Sequence, residues 1–352
     1  MGVSRDNHFV PQMYLRNWCI SGKEKLFVYR LLVPNENMPV WTECSVKNTG
    51  FLKNLYVRVE DDQELDDFET GFNELFEAPA KSALDKAISG SRMTPNDWSI
   101  LSDFILAQFL RTPSFFFGVQ EWGVKNIESI LQLQLDQVAE IINDGQPFPP
   151  TKRNQDAMLL PIKIELIHGT NKESQTELQA STVVGKNLWL YAIKTMTAPD
   201  SPVFQLFHKM KWKIVTAPEG ITWPTCDNPV AIVNVNTGDI CTIGQRGLLG
   251  NDRIVVFPIS PRKAIIGTQI HVFDHHFTAD LDFSMRIKRA IINNSFMFIY
   301  SDHDDDDVIK MKKRIVDQSE YFRIQTEFSE WYSKYKTKEA QFLGKKRIAT
   351  SP

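Results

Sequence analysis

The sequence predicts an α+β fold, a mainly helical N-terminal half packed on a mainly antiparallel sheet from the C-terminal half. Three observations carry that expectation. Up to about Gly145 the apolar residues recur at helical spacing, after a short β-like stretch. Over residues 211–301 the chain breaks instead into short strand-like runs. The strand-rich half has few helices of its own, so the N-terminal helices must cover its sheet. The Pro-rich segment 146–150 therefore reads as a connection within one α+β domain over residues 1–335, followed by a basic, frayed tail over 336–352.

Each element follows from local chemistry. In His8-Phe9-Val10-Pro11-Gln12-Met13-Tyr14-Leu15-Arg16-Asn17-Trp18, Pro11 suits a first helical turn, where its missing N–H leaves no bond unmade. Gln12 and Arg16 then share one face, beside Leu15 and Trp18. Residues 25–32 and 40–46 read as a strand pair. Residues 60–77 hold nine acids and no base, read mostly as a solvated face. A helix over 64–89 would bury Leu65, Phe68, Phe72, Leu75 and Phe76, with Pro79 kinking or restarting it. Thr94-Pro95-Asn96-Asp97 starts a helix that runs to about Leu110 and stops at Pro113. A longer helix spans 119–143, capped by Gly145, and a helical stretch follows over 175–196. Strands are expected at 211–215, 220–223, 229–235, 254–258, 264–268 and 294–300, with late helices at 308–316 and 320–335.

Composition narrows the function classes. The 352 residues are 42% hydrophobic and 24% charged with a net charge of -3, which is globular and carries no global positive field for nucleic acid. Four cysteines without CxxC spacing argue against a disulfide scaffold and a cysteine zinc site. No apolar run approaches the roughly 20 residues of a membrane span. Residues 1–7 show no hydrophobic signal segment, so the expected location is the cytoplasm.

No Walker loop, dinucleotide fingerprint, HExxH or GxSxG is present. Two polar groupings stand out instead. His8, Gln12 and Arg16 lie beside residues that want burial. They either bond loop backbone and stitch the N-terminus to the core, or form a site with a proton carrier and an anion clamp. In Trp223-Pro224-Thr225-Cys226-Asp227-Asn228-Pro229-Val230, Asp227 is either a turn former or a strand-end carboxylate facing a cleft. Gln108 and Arg111 share a helix face. Weaker groupings are His271, His275 and His276 with Asp274, Asp280 and Asp282, the run Asp302-His303-Asp304-Asp305-Asp306-Asp307, read as an exposed acidic loop, and the basic tail.

The opening segment resembles the signature of the family called domain of unknown function 4238. Leu55-Tyr56, Phe68-Glu69, Phe76-Glu77, Gln108-Phe109-Leu110-Arg111-Thr112-Pro113, Lys211-Trp212, Thr225-Cys226-Asp227-Asn228-Pro229-Val230 and Phe257-Pro258-Ile259-Ser260-Pro261 are similar to its later elements, in order. The resemblance spans about residues 8–301. Cys226 departs from it, standing where a small hydroxyl residue is expected. The resemblance implies a mainly bacterial protein and brings no established activity.

What it does imply is convergence of His8, Gln12, Arg16, Glu69, Glu77, Gln108, Arg111, Asp227 and Asn228 in one pocket for a phosphate-bearing ligand. His8, Asp227 and Arg111 would be catalytic, and Gln12, Arg16, Gln108 and Asn228 would bind the ligand. Glu69 and Glu77, with Asp227, would hold a divalent metal ion. The expected function is a hydrolase acting on a phosphodiester or nucleotide, such as a nuclease-like bacterial defence effector, with nucleic acid or nucleotide as partner and no membrane. The alternative is a non-enzymatic ligand-binding or sensor protein whose polar cluster is structural. A weaker third reading, a protein-partner module, rests on the acidic face alone.

Overall fold

In the computed structural model, residues 5–60, 63–145, 162–167, 177–241, 250, 252–269 and 276–342 are described. Strand β1 (Asp6–His8) leads into the one-turn helix α1 (Gln12–Leu15), extended by a 3-10 turn over Arg16–Trp18. Strands β2 (Lys25–Arg30), β3 (Leu32–Val33) and β4 (Trp41–Ser45) follow, and β2 pairs antiparallel with β4 as the sequence predicts. Strand β5 (Phe51–Lys53) returns to pair with β1.

A hairpin of β6 (Arg58–Glu60) and β7 (Gln63–Leu65) occupies the predicted helix start. Helix begins later, as α2 (Asp67–Gly71), passes through a π turn at Phe72–Glu77, and continues as α3 (Ala78–Ser89). The ladder widens in the turn that precedes Pro79, a residue with no N–H to contribute.

Helix α4 (Pro95–Leu110) carries the predicted capping box, with the Asp97 N–H donating to Thr94 Oγ1 at 3.2 Å and the Thr94 N–H to Asp97 Oδ2 at 2.8 Å. Helix α5 (Pro113–Asn143) starts earlier than predicted. Pro113 ends α4 and also opens α5, where an absent N–H is harmless. The stretch read as one helix over 175–196 divides. Strand β8 (Ile162–Ile167) pairs with β9 (Glu177–Thr182), and α6 (Lys186–Met196) begins only after the extended Gly185. Helix α7 (Pro202–Lys209), capped by Ser201, was not expected.

The C-terminal half adds β10 (Lys211–Thr216), β11 (Thr225–Cys226), β12 (Ala231–Asn234), β13 (Arg253–Ser260), β14 (Lys263–Thr268) and β15 (His276–Thr278). Then come α8 (Leu281–Asn294), β16 (Phe298–Ser301), α9 (Asp306–Met311), β17 (Ile315–Val316), α10 (Gln318–Ser329) and α11 (Trp331–Phe342). Residues 220–223 are not a strand, and the helix expected over 308–316 splits into α9 and β17. Helix α8 was missed because its polar start resembles a loop, although Asp280 caps it by accepting the Phe283 N–H at 2.8 Å. Helix α11 runs into the expected frayed tail. It is docked there by Glu339, which accepts the Asn187 N–H at 3.0 Å, and by Lys338, which donates to the Val184 carbonyl at 2.9 Å. The linker at 146–150 and the tail from 343 lie outside the described residues.

The fold is α+β, with helices mostly in the N-terminal half. One sheet has the order β12-β13-β14-β10-β15, antiparallel except between β10 and β15. Its residues alternate between two cores. Val255, Phe257 and Ile265 share a core with Phe104 of α4 and Trp189 of α6, while Val256 and Ile266 share one with Ile287 and Ile291 of α8. The second sheet, β11-β16-β2-β4, is antiparallel and draws strands from both halves.

Candidate functional site

The polar residues singled out by the sequence form two networks, each built around backbone. The first grips β1. Arg111, at the end of α4, is 1% exposed. Its Nη1 donates to Glu77 Oε1 at 2.6 Å, and its Nη2 donates to the His8 carbonyl. The guanidinium carbon lies 4.6 Å from the Phe72 ring centroid. Gln108, one turn earlier, donates to the Phe9 carbonyl at 2.7 Å. Glu69 accepts from the Asn7 side chain and the His8 N–H, and Asn7 Oδ1 accepts the Tyr56 N–H at 3.2 Å. Burial pushes the Glu69 carboxyl up to about 7 against the pull of Arg111. The His8 ring contacts the Lys47 carbonyl at 3.3 Å, and burial, helped by Arg111, lowers its pKa.

The second network is centred on Asp227, just after β11. Its carboxylate accepts the backbone N–H groups of Phe296 at 2.8 Å, Met297 at 2.7 Å and Phe298 at 3.1 Å. Burial raises its pKa to about 6, opposed by those three donors and by Lys312. The two networks meet through the α4–α5 junction, where Thr112 Oγ1 donates to Asn228 Oδ1 at 3.2 Å. Asn228 Nδ2 donates in turn to the Asn294 carbonyl at 3.2 Å.

The other residues part from these networks. Arg16 makes a surface pair with Glu24 at 3.3 Å, and Gln12 sits half-buried at the start of α1. Arg16, engaged at the surface, therefore does not join Arg111 and Asp227 in one network. Glu69 and Glu77 flank the Arg111 guanidinium electrostatically, whereas Asp227 belongs to the other network. Among the described residues no group of three or more His, Cys, Asp or Glu comes together to hold a metal ion, so the expected carboxylate set does not fit one. His271, Asp274 and His275 lie outside the described residues. In the acidic run, Asp305 is buried and pairs with Lys288 at 2.8 Å, as does Asp307, so these acids are an anchored cap rather than an exposed loop.

The opening motif also binds the halves together. The Tyr14 hydroxyl donates to the Pro258 carbonyl at 2.7 Å and accepts from Thr225 Oγ1 at 2.7 Å. Trp18 Nε1 donates to the Trp223 carbonyl at 2.9 Å.

Beside both networks lies a cavity of about 310 Å³ that the sequence did not announce. Its floor is one face of the second sheet, with Val28, Arg30, Phe298, Tyr300 and Asp227. Its rim includes Phe9, Phe51 and Phe296, and α10 closes the far side through Tyr321, Gln325 and Phe328. Those three helix positions, spaced four and three apart, share one face. Arg30 carried no signal in sequence because a strand-end arginine looks like any solvated charge.

Residues 6–320 match the family described as "Protein of unknown function (DUF4238)", and the chain belongs to that family. No curated protein and no solved structure matches the chain. Among the described residues no helix is long and apolar enough to cross a membrane.

Proposed function

We propose that this member of the family binds a small molecule in the cavity between the second sheet and α10, and acts as a binding or sensor protein. One observation carries the reading. Arg111, Gln108, Glu69 and Asp227 are engaged with the protein's own backbone or carboxylates, while a cavity at the lower end of the size range of small-molecule sites lies open beside them. Side chains committed to internal partners hold the backbone in place, and the remaining orphan atoms of this cluster, Arg111 Nε, Gln108 Oε1 and Glu69 Oε2, are buried away from solvent. The unpaired thiols of Cys19, Cys44, Cys226 and Cys241 suit a reducing compartment such as the cytoplasm. Native mass spectrometry of the purified chain tests the reading. A retained small molecule, released on denaturation and lost in a cavity-filling Val28→Trp variant, is expected. No retained or added small molecule binding to folded protein would sink it.

A second reading, a hydrolase acting on a phosphodiester or nucleotide, is favoured by Asp227, which lines the cavity and whose carboxyl burial raises to about 6. Turnover of RNA, DNA or nucleotides by the wild-type chain, with and without chelator, decides it. Turnover would replace the binding reading, and its absence across the panel would remove the hydrolase.

A further inference from the structure

Resting on the binding reading, we infer that the ligand is a small planar aryl anion, its charged group held by Arg30 and Tyr300 and its ring enclosed by the aromatic walls. The register places the two polar residues on one face. Phe298 pairs with Arg30 and Tyr300 with Val28 across the antiparallel strands, and directly paired residues project to the same side. Both line the cavity.

Among the described residues neither has a hydrogen-bond partner. The half-buried Arg30 guanidinium makes no hydrogen bond or ion pair among the described residues. Tyr300 is 1% exposed, and its hydroxyl also has no hydrogen-bond partner among them. A buried tyrosine hydroxyl ordinarily finds a partner, so an unpaired one lining a cavity calls for a ligand oxygen. Asp227, the other charge on this face, is met by three backbone N–H groups. The guanidinium is therefore the open charge of the floor.

The chemistry of the ligand follows. A guanidinium fork matches the paired oxygens of a carboxylate or phosphate, and the hydroxyl supplies a further donor. Phe51, Phe296, Phe298, Tyr321 and Phe328 offer ring faces and edges suited to a planar partner. The volume suits one or two fused rings with a single acidic group.

The test is calorimetric titration of the full chain with 1-naphthoate, 1-naphthyl phosphate and neutral 1-naphthamide. At least one anion is expected to bind, with the amide weaker by about tenfold or more, the loss of a charge-assisted hydrogen bond. Arg30→Ala should bring the anion down to the affinity of the amide and leave the amide unchanged. Tyr300→Phe should lower anion affinity by a smaller factor. The two anions separate carboxylate from phosphate recognition. Circular dichroism checks the fold of each variant, and Arg30→Lys, which keeps charge without the fork, serves if Arg30→Ala does not fold. Equal affinity for anion and amide, no effect of either Arg30 change, or no binding by any probe would overturn the inference. A neutral molecule retained by the purified chain would overturn it while sparing the binding reading. The binding reading falls as well only if the purified chain also retains no molecule.

Discussion

At the residue scale, backbone carbonyls and N–H groups decide what the polar side chains do. Arg111→Ala would leave the Glu77 carboxylate and the His8 carbonyl without their donor in a dry site. A loss of about 3–5 kcal/mol is expected from urea unfolding, the usual consequence of breaking a buried pair. A loss below about 1 kcal/mol would remove Arg111 from the network, being typical of an exposed pair. A second prediction concerns pH. Burial lifts Glu69 to about 7 and Asp227 to about 6. Both exceed the value near 4 of an unfolded carboxyl. Between about pH 4 and 7 the folded chain keeps protons that the unfolded chain has released, so stability is full below that window and declines as pH rises through it. Glu69→Gln fixes the neutral form. It should match wild type at pH 4 and exceed it at pH 8 in urea midpoint, and parallel curves would exonerate Glu69. The sequence made Arg111, Gln108 and Asp227 legible as groups needing partners. Apart from the Glu77 carboxylate on Arg111, their partners are main-chain atoms of residues 8, 9 and 296–298, which residue types cannot reveal.

At the element scale, what was legible depended on whether a signal was local. The Thr94–Asp97 box and the β2–β4 pair are written in adjacent residues, and both form as read. The split of 175–196 and the helix α8 depend on which strands await a partner or a cover, and that is set elsewhere in the chain. The cavity is the extreme case, because it exists only once β2 and β16 are in register and α10 lies across them. Register also constrains small residues. Trp212 pairs with Gly267 across β10 and β14. A Cβ at Gly267 would stand 2.5 Å from Trp212 Cζ3. Gly267→Ala should therefore cost about 1–3 kcal/mol, as overpacking of a settled core does. A thermal melt unchanged from wild type would show that the indole can move aside freely.

At the scale of the whole molecule, the N-terminal motif bonds the helical half to the strand-rich half. Tyr14 holds the Pro258 carbonyl and Thr225, and Trp18 holds the Trp223 carbonyl. The second sheet interleaves β2 and β4 with β11 and β16. An isolated N-terminal half would expose the edge of β2 that pairs with β16, and an isolated C-terminal half would lose the helices that bury Phe257 and Ile265. Unpaired strand edges and stripped cores of this kind do not stay folded alone. Chains ending at residue 145 or beginning at residue 177 should each lack near-ultraviolet circular dichroism and cooperative melting. The intact chain should unfold in one transition, with tryptophan fluorescence and far-ultraviolet signals coincident. Two separated transitions, or a half that melts cooperatively by itself, would mean that the Tyr14 and Trp18 contacts join two finished domains. The cavity would then lie on a sheet completed only by docking, and its ligand would stabilise one transition and not the other. With a single transition, an aryl anion bound at Arg30 should raise the whole midpoint by the same amount in both probes.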